Sequence, residues 1–124
     1  MIHIDEWPPE LDALIAPPDH HTLVLENDHV RVLSTCIKPG ECTPVHTHCW
    51  PSVLHILSWS HFVRRDDKEN VIVDSRAVEA FKNPPSVVRS APLPPHSLEN
   101  VGATDLNVLS VEVKDGSCIR NGKG

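Results

Sequence analysis

Short apolar segments separated by regular turn signals fill the sequence from Thr22 onward. About nine such segments recur at a spacing of roughly 8–12 residues, and valine is frequent within them. The chain also contains 12 prolines in 124 residues, and proline interrupts long helices because it lacks a backbone N–H. This pattern predicts an all-β sandwich or barrel.

The predicted strands are joined by short loops and are 22–25, 30–37, 44–48, 52–59, 61–64, 71–73, 86–89 and 106–113. Residues 77–82 fit either a helix or a strand, since periodicity does not separate the two over so few positions. Residues 92–95, three of which are prolines, are predicted to form a turn. The length of the chain corresponds to one domain. We expect an N-terminal extension over 1–20, a β-barrel over 21–114 and a loose C-terminal tail over 115–124.

The charge balance of the chain argues against polyanionic partners. Seventeen acidic residues against eleven basic ones give a formal net charge of −6. No basic stripe is present to neutralise phosphates, and three tryptophans with two phenylalanines offer no platform for stacking bases. We therefore expect a small-molecule substrate, with neither nucleic acid nor a membrane surface as a partner.

The four cysteines, Cys36, Cys42, Cys49 and Cys118, form no Cys-x-x-Cys pair. We expect them to be reduced thiols, with Cys49 packed in the interior. No apolar run reaches the roughly 18–20 residues that a membrane-spanning helix needs, and the N-terminus does not resemble a signal peptide. These features together predict a cytoplasmic location.

The most informative segment for chemistry is 40–48, which contains two histidines separated by one residue. Alternate side chains of a strand share a face, so His46 and His48 would point the same way about 6.8 Å apart. Both rings could then converge on one metal ion, which needs a third ligand from elsewhere. His96 is the best candidate, because it directly follows Pro94-Pro95.

These positions resemble the two sequence motifs of the cupin family. Gly40-x5-His46-x-His48 is similar to the first motif, and Pro95-His96-x3-Asn100 is similar to the second. The resemblance covers about residues 22–114 and is nearest to small single-domain bacterial cupins. It implies a double-stranded β-helix, or jelly-roll barrel, that is commonly a homodimer and binds a divalent metal.

The chain departs from the cupin pattern at Ser52, where the family usually has a glutamate ligand. What remains resembles the three-histidine variant found in some cupin dioxygenases. Three neutral imidazoles leave a divalent ion with its full charge, which favours an anionic substrate such as a thiolate, an enolate or a carboxylate. Ser52 itself is a candidate catalytic residue, which would hydrogen-bond the substrate or a metal-bound water.

The resemblance therefore implies a small metal-dependent cupin, an oxygenase acting on a small organic anion. His46, His48 and His96 would hold Fe(II), with zinc, manganese and nickel as alternatives. A non-catalytic cupin that binds a small molecule, with or without metal, and a zinc-dependent lyase or isomerase remain open. The other histidines are expected to stay outside the site: His3, His20, His21 and His29 in solvent, and His55 and His61 facing away from the ligands.

Overall fold

The computed structural model describes residues 7–116, which form two antiparallel β-sheets. The strands, in chain order, are β1 His21–Glu26, β2 Val30–Ile37, β3 His46–His48, β4 Ser52–Ser58, β5 Phe62–Asp66, β6 Val71–Asp74, β7 Val87–Ser90, β8 Leu93–Asn100 and β9 Leu106–Val113. Short 3₁₀ helices occupy Pro9–Leu11, Ser75–Ala77 and Glu79–Lys82. The predicted all-β architecture is confirmed.

Strands that follow one another in sequence repeatedly belong to different sheets. The five-stranded sheet has the order β1-β2-β9-β4-β7, and the four-stranded sheet has the order β3-β8-β5-β6. Strand β2 shows how the sequence places its inner face, because buried and partly exposed residues alternate along its whole length. Leu33 and Ile37 are fully buried on that inner face, while Arg31 and Thr35 are buried polar residues of the same face.

Strand β8 includes residues that the sequence predicts to be a turn. The prediction of a turn over 92–95 is wrong, since Leu93, Pro94 and Pro95 all lie within β8. The register between β3 and β8 shifts at this point, because His46 pairs with His96 whereas His48 pairs with Leu93. Two prolines fit here because an irregular ladder does not require the N–H groups that they lack.

The undecided segment 77–82 is resolved in favour of helical structure. Glu79–Lys82 forms a 3₁₀ helix directly after Ser75–Ala77. A four-residue helix of this kind gives no 3.6-residue pattern that sequence inspection could recognise.

An N-terminal segment, residues 7–20, packs against the strand that carries two histidines. Asp12 forms a parallel bridge with Thr47, and the N–H of Ala13 donates to the carbonyl of Thr47 over 3.1 Å. Trp7 joins Cys49 and Trp50 in a buried apolar cluster just after β3. The segment therefore holds β3 in place from the side opposite β8.

The side chain of Asn100 anchors the end of β8 and is fully buried. Its amide nitrogen donates to the carbonyls of Ile37 and Thr104, each over 2.8 Å. Its oxygen accepts from the hydroxyl of Ser60 at 2.6 Å and from the N–H of Gly102 at 2.9 Å. One amide thus connects the end of β2, the turn before β5 and the loop that follows β8.

The cysteines correct one expectation about the thiols. Cys36 and Cys42 are free, but Cys49 is buried and disulfide-bonded, so the prediction of a reduced thiol is wrong there. A disulfide joins positions that the fold brings together, which the spacing of cysteines in the sequence does not reveal. Cys118 lies outside the described residues. Within residues 7–116, no helix has both the length and the apolar character to cross a membrane.

Candidate metal centre

Four histidine rings meet in the space between the two sheets. The ring centroid of His46 lies 5.1 Å from that of His48 and 4.4 Å from that of His96. The centroids of His48 and His96 are 5.7 Å apart. The fourth ring, that of His21, lies 4.9 Å from His46 and 5.4 Å from His48. The three histidines singled out from the sequence are therefore neighbours, and a further histidine joins them.

Strand pairing explains how the two sequence motifs meet. His46 of β3 lies directly opposite His96 of β8 in an antiparallel ladder. Residues directly opposite each other project from the same face with their Cβ atoms about 4.5–5.5 Å apart. His48 lies two residues beyond His46 on the same strand and so faces the same interior.

His21 reaches the cluster from the other sheet, as the first residue of β1. The expectation that it is solvated is wrong, because only 5% of the residue is exposed. His21, His46 and His48 each offer a ligand atom, and these atoms lie within 4.8 Å of one another, a group that does not include His96. Alternation could not have revealed this, since Leu23 and Leu25, which share the parity of His21, are exposed.

Two of the rings are oriented by carbonyl groups of their own chain segment. Nδ1–H of His46 donates to the carbonyl of Pro44 over 2.9 Å, and Nδ1–H of His96 donates to that of Pro94 over 2.7 Å. A carbonyl can only accept, so the proton is on Nδ1 in both rings and Nε2 keeps its lone pair. Both Nε2 atoms are therefore available as metal ligands.

The ring of His48 is oriented by a buried carboxylate instead. Its Nδ1–H donates to Oε2 of Glu112 over 2.9 Å, and Oε1 of Glu112 accepts from Nε of Arg31 over 2.6 Å. Glu112 is completely buried and makes both contacts from β9. A carboxylate that fixes the orientation of an imidazole and raises its basicity is a recurrent feature of metal sites.

A buried ion-pair network connects this carboxylate to the N-terminal segment. Arg31 also makes a bidentate pair with Asp12, over 3.0 and 3.1 Å. Burial opposes ionisation of Asp12, but the hydrogen bond and charge of Arg31 outweigh it, so the pKa of Asp12 is lowered. Burial likewise opposes the charge on Arg31, and its contacts with Asp12 and Glu112 reverse this effect, so its pKa is raised.

Burial keeps three of the clustered imidazoles, those of His21, His46 and His96, neutral, and the neighbouring rings add to the effect. Burial lowers the pKa of His21 to about 2 and that of His46 to about 3, with His48 contributing in both cases. Burial and the neighbouring His46 hold the pKa of His96 well below its ordinary value of 6.5. The neutral imidazole is the form that binds metal ions.

Solved structures with the same arrangement of strands are known, although their sequences are distant. A cupin domain from Bordetella pertussis Tohama I shares 15% identity, with 76% of this chain and 91% of that chain covered and a TM-score of 0.57. An uncharacterised conserved protein with a double-stranded β-helix domain from Klebsiella pneumoniae shares 16% identity, with 94% and 91% covered and a TM-score of 0.55.

A third similar structure is an RmlC-like cupin family protein from Methanocaldococcus jannaschii, with 15% identity, coverage of 75% and 77%, and a TM-score of 0.51. The chain has the cupin fold. This agrees with the resemblance seen in its motifs. No protein-family model and no curated protein matches the sequence.

In this fold, Ser52 lies on β4 and lines the same cavity as the four histidines. Ser52 is buried and directly opposite Glu112 of the neighbouring strand β9. A carboxylate therefore lies one strand away from the position where the cupin motif usually has its glutamate ligand, which is Ser52 here. That carboxylate already accepts from His48 and Arg31. Glu112 therefore orients a candidate ligand, and the candidate donor set consists of imidazoles.

The donor set of this site fits a divalent transition metal. Imidazole nitrogen suits zinc, iron, copper and nickel, and here the rings of His46 and His96 are buried, neutral and held at Nδ1. In addition, Nδ1 of His21 is a buried nitrogen without a hydrogen bond of standard geometry among the described residues, and the carbonyl of Pro17 is the one backbone group that favours protonation of this ring. Bound metal would satisfy such a nitrogen, and polar groups buried in this way otherwise destabilise the fold.

Proposed function

We propose that this cupin binds a divalent metal through His46, His48 and His96, with His21 as a further donor. The observation that supports this most directly is the clustering of four imidazole rings, three of which, those of His46, His48 and His96, already have Nδ1 hydrogen-bonded. Fe(II) is the metal that we favour, with zinc, manganese and nickel as alternatives. Imidazole ligands do not neutralise the metal, so the partner should be a small organic anion.

The reaction that we propose is oxygenation of that anion, with both atoms of O2 entering the product. A bound iron ion would supply the redox chemistry and a positive charge for the substrate. The residues of the chain orient the imidazoles and enclose a cavity of about 450 Å³. Ser52, placed at the wall of this cavity, is our candidate for hydrogen bonding to the substrate. Apolar walls, including Leu54 and Leu98, would limit the access of water.

Metal analysis of the purified protein, followed by an oxygen-uptake screen with small thiols, diketones and carboxylates, tests this proposal. Stoichiometric iron and uptake that depends on one of these compounds would support it. Stoichiometric zinc without uptake would favour a lyase or isomerase. Absence of metal, with no change in thermal stability when iron or zinc is added, would leave a metal-free binding cupin and overturn the proposal.

A histidine variant tests the donor set. We expect His48→Ala to lower zinc affinity by at least a hundredfold while the far-ultraviolet circular dichroism stays that of the wild type, because an imidazole ligand is lost while Glu112 keeps its ion pair with Arg31. His55→Ala is the matched control, since His55 is exposed on β4. Equal zinc affinity in the two variants would exclude His48 as a ligand.

We also propose that the protein is a homodimer. Strand β1 is an edge strand, and Leu23, Val24 and Leu25 are exposed along it, so pairing with a second copy would cover apolar surface. Analytical ultracentrifugation of the wild type and of Val24→Lys tests this. Cytoplasmic location stays a prediction, and the disulfide at Cys49 counts against it, because reducing compartments keep thiols reduced.

A further inference from the structure

Arg64 of β5 points into the cavity that contains the histidine cluster. It lies opposite Leu98 of β8 in the antiparallel ladder, and Leu98 shares its face with His96 two residues earlier. Both Arg64 and His96 line the cavity. The positive charge of Arg64 is also among the influences that disfavour protonation of His96, which places the two groups within electrostatic reach.

The guanidinium of Arg64 has no ion pair or hydrogen bond with any residue in the described part of the chain. Its neighbour Arg65, which faces the other way, pairs with Glu99 over 2.9 Å. Burial lowers the pKa of Arg64, although a guanidinium remains charged in proteins. An arginine that is withdrawn from water without a partner destabilises the fold, so such an arrangement is expected where a ligand provides the partner.

The side chains that line the cavity with Arg64 favour an anionic ligand, although the chain as a whole is acidic. The lining includes Arg64, Arg89 and the four clustered histidines but, within residues 7–116, neither an aspartate nor a glutamate. Yet the whole chain carries a formal net charge of −6. The acidic character of the surface is therefore reversed inside the cavity, where Arg64 is the partly buried cation and Arg89 is exposed at the rim.

We propose that Arg64 binds a carboxylate of the substrate, so that the substrate class is small carboxylic acids with a second donor group that reaches the histidine cluster. This inference rests on the proposed function only for the contact between the second donor group of the substrate and a metal ion at the histidine cluster. The planar fork of arginine matches a carboxylate with two parallel N–H···O bonds, and such charge-assisted pairs are the stronger kind of hydrogen bond. Two anchoring points would orient the ligand between β5 and the cluster.

Binding of dicarboxylates of increasing length tests this assignment. Malonate, succinate and glutarate are titrated calorimetrically into the wild type, Arg64→Met and Arg65→Met, with and without bound zinc. The corresponding diamides serve as uncharged probes. We expect at least one dicarboxylate to bind, its diamide not to bind, and Arg64→Met to lower the affinity at least tenfold, whereas Arg65→Met leaves it unchanged.

Thermal unfolding distinguishes a ligand-binding role from a structural one. Removal of an unpaired buried charge should leave the melting temperature of Arg64→Met without ligand equal to or above that of the wild type. A marked drop in that temperature would show that Arg64 stabilises the fold and would overturn the inference.

The outcomes separate this inference from the metal proposal. Dicarboxylate binding that depends on Arg64 in a protein that takes up no zinc would support the inference and contradict the metal proposal. Zinc uptake with no binding of any dicarboxylate, or with equal binding by Arg64→Met and the wild type, would overturn the inference and leave the metal proposal standing.

Discussion

Glu112 is the residue through which the candidate metal ligands depend on distant parts of the chain. Each of its two carboxylate oxygens accepts one hydrogen bond, from His48 on one side and from Arg31 on the other. An amide at this position has a single oxygen, so one of these donors would face an NH2 group. The ring of His48 would then lose its orienting partner or Arg31 would lose one of its two acids.

Glu112→Gln is therefore expected to weaken metal binding without removing a ligand. Loss of such an orienting carboxylate lowers metal affinity by about 10–100-fold in other sites. Zinc affinity measured by competition with a chelator checks this. Glu99→Gln is the control, since Glu99 pairs with Arg65 at a partly exposed position. Unchanged zinc affinity in Glu112→Gln would show that His48 does not depend on Glu112.

Other residues show why the site could be only partly anticipated from the sequence. The pairing of His46 with His96 follows from the motifs and from an antiparallel ladder. His21 escaped prediction because its burial depends on where β1 crosses the opposite sheet, which no local pattern records. The role of Glu112 depends on β9 lying beside β2, where Arg31 is directly opposite Glu112, and on His48 reaching it from the other sheet, and both are likewise properties of topology.

At the scale of the elements, the end of β8 depends on one amide. Removal of the Asn100 side chain would leave the carbonyls of Ile37 and Thr104 and the hydroxyl of Ser60 without this partner. We expect Asn100→Ala to lower the free energy of unfolding by about 2–4 kcal/mol, because each buried group left unpaired costs about 1–3 kcal/mol before local relaxation.

Urea denaturation checks the effect of Asn100→Ala. Asn107→Ala is the matched control, because the Asn107 side chain makes no hydrogen bond within residues 7–116. A loss no larger than that of the control would mean that water replaces the partners of Asn100 without penalty.

The bounds of a strand could be predicted from the sequence where turn-forming residues flank its ends. The bounds predicted for β2 and β9, 30–37 and 106–113, are those of the structure, because Asn27-Asp28 and Pro39-Gly40 flank β2 and apolar residues recur through both strands. Strand β8 was not predicted at all, because prolines normally signal turns and no element is predicted for the residues after them. The tolerance of prolines there depends on the shifted register against β3, which only the assembled sheet specifies.

At the scale of the whole molecule, the N-terminal segment is tied into the barrel through Asp12. Asp12→Asn would leave Arg31 with Glu112 as its remaining acid and weaken the bridge to β3. We expect a loss of about 1–3 kcal/mol in the free energy of unfolding at pH 7, as for other charged hydrogen bonds. Urea denaturation measures it, with Asp28→Asn at an exposed turn as the control.

The same variant predicts how acid acts on the protein. The folded-state pKa of Asp12 lies below its ordinary value of 3.8. The folded state therefore binds fewer protons than the unfolded state around this pH, so the stabilisation is present above about 3.8 and is lost as the pH falls through the lowered pKa. The stability difference between wild type and Asp12→Asn should shrink over that interval, and a constant difference would contradict this.

The tripeptides Pro44-Val45-His46 and Pro94-Pro95-His96 carry a consequence for how far the chain can diverge. In each, the imidazole is aimed by the carbonyl two residues before it, and proline restricts the backbone at that carbonyl. The hydrogen bond that orients each of these rings is contained within three consecutive residues. Substitutions elsewhere in the barrel should therefore leave it in place. As substitutions accumulate, the orientation of His48 should be lost first, because it depends on the distant Glu112. The two tripeptides should also orient an imidazole when they are transferred to another β-barrel.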